Sequence, residues 1–232
     1  MLRIVITLFA LLLTLFVTTA LTTGGPAMCQ TGSDEIVVKL PEPSLEGTRS
    51  LEECIAARRS QRSFSETPLT LDQVSQVLWA AQGITSDRGF RTTPSAGALY
   101  PVRLYFVAEN VDGLEDGSWL YDPEDHSITL VREGSLLADL QAAALDQDCV
   151  GNAAAALVIT AIPEITEARY GDRSLRYIDQ EVGCICQDVY LQCGSLGLGT
   201  VAIGAFYDDQ VAEVVSTEAL PRLIMPLGAL PD

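Results

Sequence analysis

Arg58-Arg59-Ser60-Gln61-Arg62 is the stretch on which the reading of this chain turns. Over 232 residues, 14 Lys and Arg stand against 31 Asp and Glu, a formal net charge of −17. Three arginines within five positions therefore reverse the local field. Such a spot attracts one anion held at short range rather than a spread-out polyanion. The guanidinium's planar fork suits phosphate or carboxylate oxygens taken two at a time. The same arginines also suit the last turn of a helix, where positive charge complements the dipole and reaches the final carbonyls. The stretch alone leaves both readings open.

On its N-terminal side, Ser50-Leu51-Glu52-Glu53 has capping-box spacing, and Leu51, Cys54 and Ile55 follow at helical period. This predicts a helix to about Arg59. On its C-terminal side, Thr70-Leu71-Asp72-Gln73 is a second capping box. It opens an apolar stripe of Val74, Val77, Leu78 and Ala81, stopped at Gly83. Thr93–Pro101 reads as a loop or a single helical turn between two prolines. Val102–Ala108 is strand-like, and 117–121 and 127–131 form a hairpin around Asp122-Pro123. A helix is expected over 135–145. The continuous apolar run 153–162 predicts a central strand.

Arg173–Leu196 carries Leu175, Ile178, Val182, Ile185, Val189 and Leu196 at helical spacing, the longest helix and the natural core element. Gly197-Leu198-Gly199 ends it. A buried strand over 200–206, a short helix over 208–215 and a last strand over 223–227 follow. Helices and strands alternate irregularly and hairpins occur. That pattern predicts an α+β fold with a mostly antiparallel central sheet flanked by helices.

The acidic balance excludes nucleic acid and anionic lipid as partners, since both need basic surface. Met1–Ala27 reads as a hydrophobic export segment, a signal peptide or membrane anchor. Arg3 supplies its positive end and Ile4–Leu21 its apolar run. This places the domain outside the cytoplasmic membrane, with the membrane touched only through that segment. Residues 28–47 read as a linker, and nothing splits 48–232.

Six cysteines are too few for a disulfide scaffold. Cys184 and Cys186 would point apart on a helix and could not share a metal, so no metal site is expected. Cys186 and Cys193 share one helical face and read as small buried hydrophobes. His126 is the only histidine. It sits in a turn-like stretch, which speaks against a Ser-His-Asp triad. Glu181, inside the long helix, reads as part of a solvated face. No P-loop, H-E-x-x-H or Rossmann glycine turn is present.

Four stretches together carry a family resemblance. They are Arg58-Arg59-Ser60-Gln61-Arg62, Pro94-Ser95-Ala96-Gly97-Ala98-Leu99-Tyr100-Pro101, Arg176-Tyr177 with Glu181-Val182-Gly183, and 196–206 with its glycines. In this order and spacing the chain resembles the nitroreductase-like FMN-dependent superfamily, within it the SagB-type, azoline-oxidase branch. The resemblance implies an FMN-binding homodimer. Arg58, Arg59, Ser60 and Arg62 would hold the phosphate, ribityl chain and ring edge. Pro94, Ser95, Ala96, Gly97 and Leu99 would meet the flavin from the other subunit. A backbone N–H of Gly204 or Ala205 would face flavin N5, on a strand supported by Gly197 and Leu198.

The implied activity is ping-pong hydride transfer between two substrates, small molecules or a peptide, with NAD(P)H as a reductant. Azoline dehydrogenation on a modified peptide, and a flavin- or ligand-binding protein without turnover, are the alternatives. Tyr177 and Glu181 are the side chains that resemblance puts forward for catalysis. Four positions depart from relatives: Cys184 stands where a SagB-type histidine occurs, Ala98 where many nitroreductases have asparagine, and Arg169 and Arg176 precede tyrosines where the azoline oxidases use lysine.

Overall fold

Ala155–Ala161 offers only Thr160 to water, so both faces of any strand it forms must be covered. In the computed structural model, which describes residues 35–231, this strand (β5, Ala155–Ala161) is buried at all seven positions. The Thr160 hydroxyl is satisfied internally by donating to the Arg103 carbonyl at 3.3 Å. Strands β2 (Val102–Ala108) and β7 (Leu220–Ala229) pair with β5 on its two sides. The hairpin β3 (Gly117–Asp122) and β4 (Ser127–Glu133) extends the sheet beyond β2. Strands β1 (Val37–Lys39) and β6 (Leu198–Thr200) close its edges. The seven strands run β1-β4-β3-β2-β5-β7-β6, and every neighbouring pair is antiparallel.

Period-two alternation sorts the core into two layers. Leu104, Phe106, Leu157 and Ile159 face the helices α2 (Leu71–Gln82) and α6 (Ser174–Leu196), whose Leu78, Ile178, Ile185 and Val189 fill that side. Val107, Ala156 and Val158 face α3 (Leu137–Ala143), α4 (Asp148–Gly151) and α7 (Asp208–Val214) through Leu140, Val150 and Val211. Two further helices, α1 (Leu51–Ala57) and α5 (Pro163–Tyr170), pack against α6. Ser50 and Thr70 cap α1 and α2 with complete capping boxes, as their spacing predicts.

The structure corrects the sequence reading in several places. Residues 37–39 of the expected linker are a sheet strand, registered Val37↔Thr129 to Lys39↔Ser127. No local alternation marks three residues as a strand; the pairing with β4 creates it. Helix α5 was not expected; it starts at Pro163, where the fixed φ of proline suits a first helical turn. The helix expected over 135–145 stops at Ala143, because Leu145 and Asp146 take φ of 58° and 57°. The strand expected over 200–206 is instead β6 followed by one bridge, Ile203↔Ile224.

Cys193 is buried and Cys186 partly so, and both lie against the α6 core. His126 joins the arm to the hairpin. Its Nε2 lies 2.8 Å from Ser75 Oγ and 3.0 Å from the Pro41 carbonyl, and its Nδ1 lies 3.0 Å from Tyr121 Oη. Ser75 is 1% exposed and no carboxylate among the described residues orients the ring, so this contact is not a hydrolytic pair. The export segment, Met1–Ala27, lies outside the described residues; among those described, no helix is long and apolar enough to cross a membrane.

Candidate functional site

Helix α1 stops at Ala57, and Arg58 leaves helical geometry at φ −53°, ψ 121°. The arginine segment is therefore extended rather than a last helical turn. It runs along the sheet edge, where Gln61 N donates to Thr200 O and Ser65 N to Ala229 O, both at 2.9 Å. Two glycines make that approach possible. A Cβ on Gly228 would lie 2.7 Å from Phe64 Cβ, and one on Gly199 would lie 3.0 Å from Gln61 Cβ.

The cluster divides its work. Arg59 does what the helix-end reading expects, its Nη1 donating to Ala56 O at 3.3 Å and Arg58 O at 2.7 Å. Arg58 instead lies 5.0 Å above the Tyr190 ring. Tyr190 is a hub that the sequence reading missed. Its hydroxyl lies 3.0 Å from Ser60 Oγ and accepts from Ala202 N at 2.8 Å, joining α6, the arginine segment and the chain beyond β6. No local signal marks it, because its partners lie 130 and 12 positions away.

Arg58 and Arg59 line a cavity of about 130 Å³ together with Gly197 and Leu198, so the structure brings the first and last of the four stretches together. Arg62 lines a neighbouring, larger cavity of about 470 Å³ with Ser63, Asn110 and Asn152. None of Arg58, Arg59 and Arg62 is in an ion pair among the described residues. Gly197 takes the left-handed helix C-cap at φ 74°, a conformation that favours glycine. Further on, Gly204 and Ala205 are exposed, and none of the described residues comes within 4 Å of where a Gly204 Cβ would be. Neither of their amides donates to an acceptor among the described residues.

The Pro94–Pro101 loop does not line the Arg58 cavity. Residues 96–98 form a single 3-10 turn, and Tyr100 N closes it by donating to Ser95 Oγ at 3.0 Å. Gly97, Ala98 and Tyr100 all have positive φ, at 64°, 53° and 50°. For the two residues with side chains this stores about 1–3 kcal/mol each. Packing holds the strain in place: Arg169 Nη1 and Tyr170 Oη sit 2.7 Å from where a Gly97 Cβ would be. Tyr170 and Tyr177 meet edge to face at 4.9 Å, with the Arg169 guanidinium 5.4 Å over Tyr170.

Glu181 is not on a solvated face. It is 3% exposed, three positions after Ile178 and four before Ile185, hence on the apolar stripe of α6. That spacing was the available signal. Gln82 Nε2 donates to its Oε1 at 3.3 Å. Burial holds its pKa above the ordinary 4.5, with Ser95, Gln82 and Arg91 pulling the other way.

A carboxyl raised on folding contributes stability below its unfolded pKa and loses it as pH rises through the folded value. At neutral pH its charge is therefore a burden. Glu181→Gln keeps an acceptor for Gln82 and should raise the melting temperature near about pH 8, with the gap narrowing as pH falls toward 4.5. Melting curves across that range check it; a gap that widens on acidification contradicts the burial argument.

The antiparallel sheet carries along one edge arginines without an ion-pair partner and backbone amides without an acceptor among the described residues. The chain belongs to the nitroreductase family, whose model matches residues 55–229. It is 43% identical over 195 residues to a Methanocaldococcus jannaschii protein whose name places it among the nitroreductases, covering 84% of this chain and 97% of that one. A Ralstonia eutropha crystal structure, likewise named for a nitroreductase, superposes with a TM-score of 0.75 at 29% identity, over 87% of this chain and 92% of that one. The Vibrio harveyi NADPH:FMN oxidoreductase, solved with NAD+, shares the fold at 22% identity with a TM-score of 0.56, over 78% of this chain and 69% of that one.

Proposed function

We propose that this chain is an FMN-dependent oxidoreductase that works as a homodimer and passes hydride between two substrates in turn. The observation that carries this is the sheet edge itself, with Arg58 stacked on Tyr190 beside Ser60, Arg62 one cavity away, and no carboxylate pairing either arginine among the described residues. In a chain of net charge −17, unpaired arginines on a glycine-flattened edge fit a phosphate-bearing ligand. The free amides of Gly204 and Ala205 fit the polar edge of a flat ring that must approach backbone closely. Family membership and an FMN-named structural neighbour support the same ligand.

Bound FMN would supply two-electron hydride chemistry. The chain's own residues bind and orient. Arg58, Ser60 and Arg62 would hold the phosphate, with Arg59 bracing the helix end. Gly197 and Leu198 would support the segment that presents Gly204 and Ala205. Pro94, Ser95, Ala96, Gly97 and Leu99 lie off the Arg58 cavity of their own chain, as a pocket shared between two copies requires. The strain at Ala98 and Tyr100 suits a wall held rigidly in place.

Azoline dehydrogenation is the second reading, favoured by Tyr170 and Arg169 lying against Gly97. It ranks behind, because a guanidinium keeps its proton where lysine could act as a base. Export of the domain, cleaved or anchored, belongs to this proposal as the setting in which it works.

Titrating the purified protein with FMN tests the main reading. Saturable flavin uptake, with a spectrum bleached by dithionite or NAD(P)H, is expected. A protein that takes up no FMN would overturn it; uptake without turnover would point to a binding protein.

A further inference from the structure

We propose that a third cavity, lined by Arg91 and Arg103, binds a small organic carboxylate. It measures about 410 Å³ and lies between Leu99–Tyr100 and the β3–β4 hairpin. That is a normal size for a small-molecule site. It shares no lining residue with either cavity of the Arg58–Arg62 segment, and of the proposed flavin wall it shares only Leu99.

Both arginines are half-buried, and neither is in an ion pair among the described residues. Arg91 is held rigidly. Its Nη1 donates to Gln82 Oε1 at 2.7 Å, and its guanidinium lies 4.4 Å over the Tyr100 ring. Its Nε is buried without an acceptor among the described residues. Arg103 Nη1 donates to the carbonyls of Tyr100 and Val102 at 3.1 and 2.9 Å, which fixes its fork at the cavity wall.

Two guanidiniums drawn partly out of water beside one another repel. Burial first, and then the Arg103 charge, weaken Arg91's hold on its proton, with Tyr100, Glu181 and Glu124 pulling the other way. An anion seated between them relieves that repulsion.

The walls decide which anion. Leu99, Leu104, Leu120 and Pro123 give an apolar side, matching a hydrocarbon body. Asp122 and Glu124 stand exposed at the rim, where they repel a dianion more than a monoanion. Together these features select a monocarboxylate with an apolar body over phosphate.

The full chain is titrated calorimetrically with cyclohexanecarboxylate and with its neutral isostere, cyclohexanecarboxamide. The carboxylate should bind at least about tenfold more tightly than the amide. Arg103→Gln should weaken it by a similar factor, and inorganic phosphate should not compete. Arg91→Gln should do the same, but that change also releases Gln82. Arg103→Gln forfeits only two bonds to carbonyls beside it in the chain, and its melting temperature is measured to check that it folds. Absence of carboxylate binding, equal binding of the amide, displacement by phosphate, or unchanged affinity in a folded Arg103→Gln each overturns the proposal.

Discussion

Arg58→Ala should bind FMN about 10- to 100-fold more weakly than the wild-type chain, and Arg59→Ala far less so. The difference follows from where the two guanidiniums lie. Arg59 spends its Nη1 on the carbonyls of Ala56 and Arg58. Arg58 lies over Tyr190 with no carboxylate partner among the described residues, free to meet a phosphate oxygen. A hydrogen bond to a charged group contributes about 1.5–3 kcal/mol, which gives the expected range. Fluorescence titration of both variants reads it directly. The melting temperature of Arg58→Ala should change little, since the guanidinium is only half-buried and supports no buried charge. Equal losses from the two variants would show that the phosphate is held elsewhere.

Gly228→Ala should destabilise the protein by about 1–3 kcal/mol, the usual cost of overpacking. It should also lower FMN affinity, although residue 228 touches no ligand in the proposed site. The added methyl would lie 2.7, 2.8 and 2.9 Å from Phe64 Cβ, Cγ and Cδ1. Those atoms are near the backbone and cannot swing aside as the end of a long side chain would. Relief requires the Phe64 segment to lift from the edge. That loosens the Ser65 N to Ala229 O bond and moves Arg58–Arg62 with it.

Gly183→Ala is the matched control. Gly183 is exposed on α6 with nothing within 4 Å of a built Cβ, so alanine there should stabilise by about 0.5–1 kcal/mol. Chemical unfolding of both variants settles the sign. If Gly228→Ala were as stable as Gly183→Ala, the edge segment would be less tightly seated than the geometry requires.

Much of the fold was legible because its signals are short-range. The capping boxes at Ser50 and Thr70 span three positions each. The α6 stripe repeats every three or four residues, and the β3–β4 hairpin closes through a local turn. The same stripe rule locates Glu181 inside the core; taking charge as proof of exposure is what misplaced it. Strand β1 was not legible, since three residues carry no alternation until they meet β4. Of the candidate site, the arginines and the glycine-bearing stretch were visible as residue types. Their division into a helix brace, an aromatic stack and a separate cavity was not.

By itself, the sequence determined the α+β class, the principal helices and strands, and the residues from which an anion site could be built. Periodicity, caps and local charge reversal act over a few positions and need no partner. Only the tertiary structure decided that Gly228 lets Phe64 lie flat, that Tyr190 ties Ser60 to Ala202, and that Arg91 and Arg103 line one cavity. Each of these joins atoms from distant parts of the chain. Such contacts exist only once sheet register and helix packing have brought the backbones together.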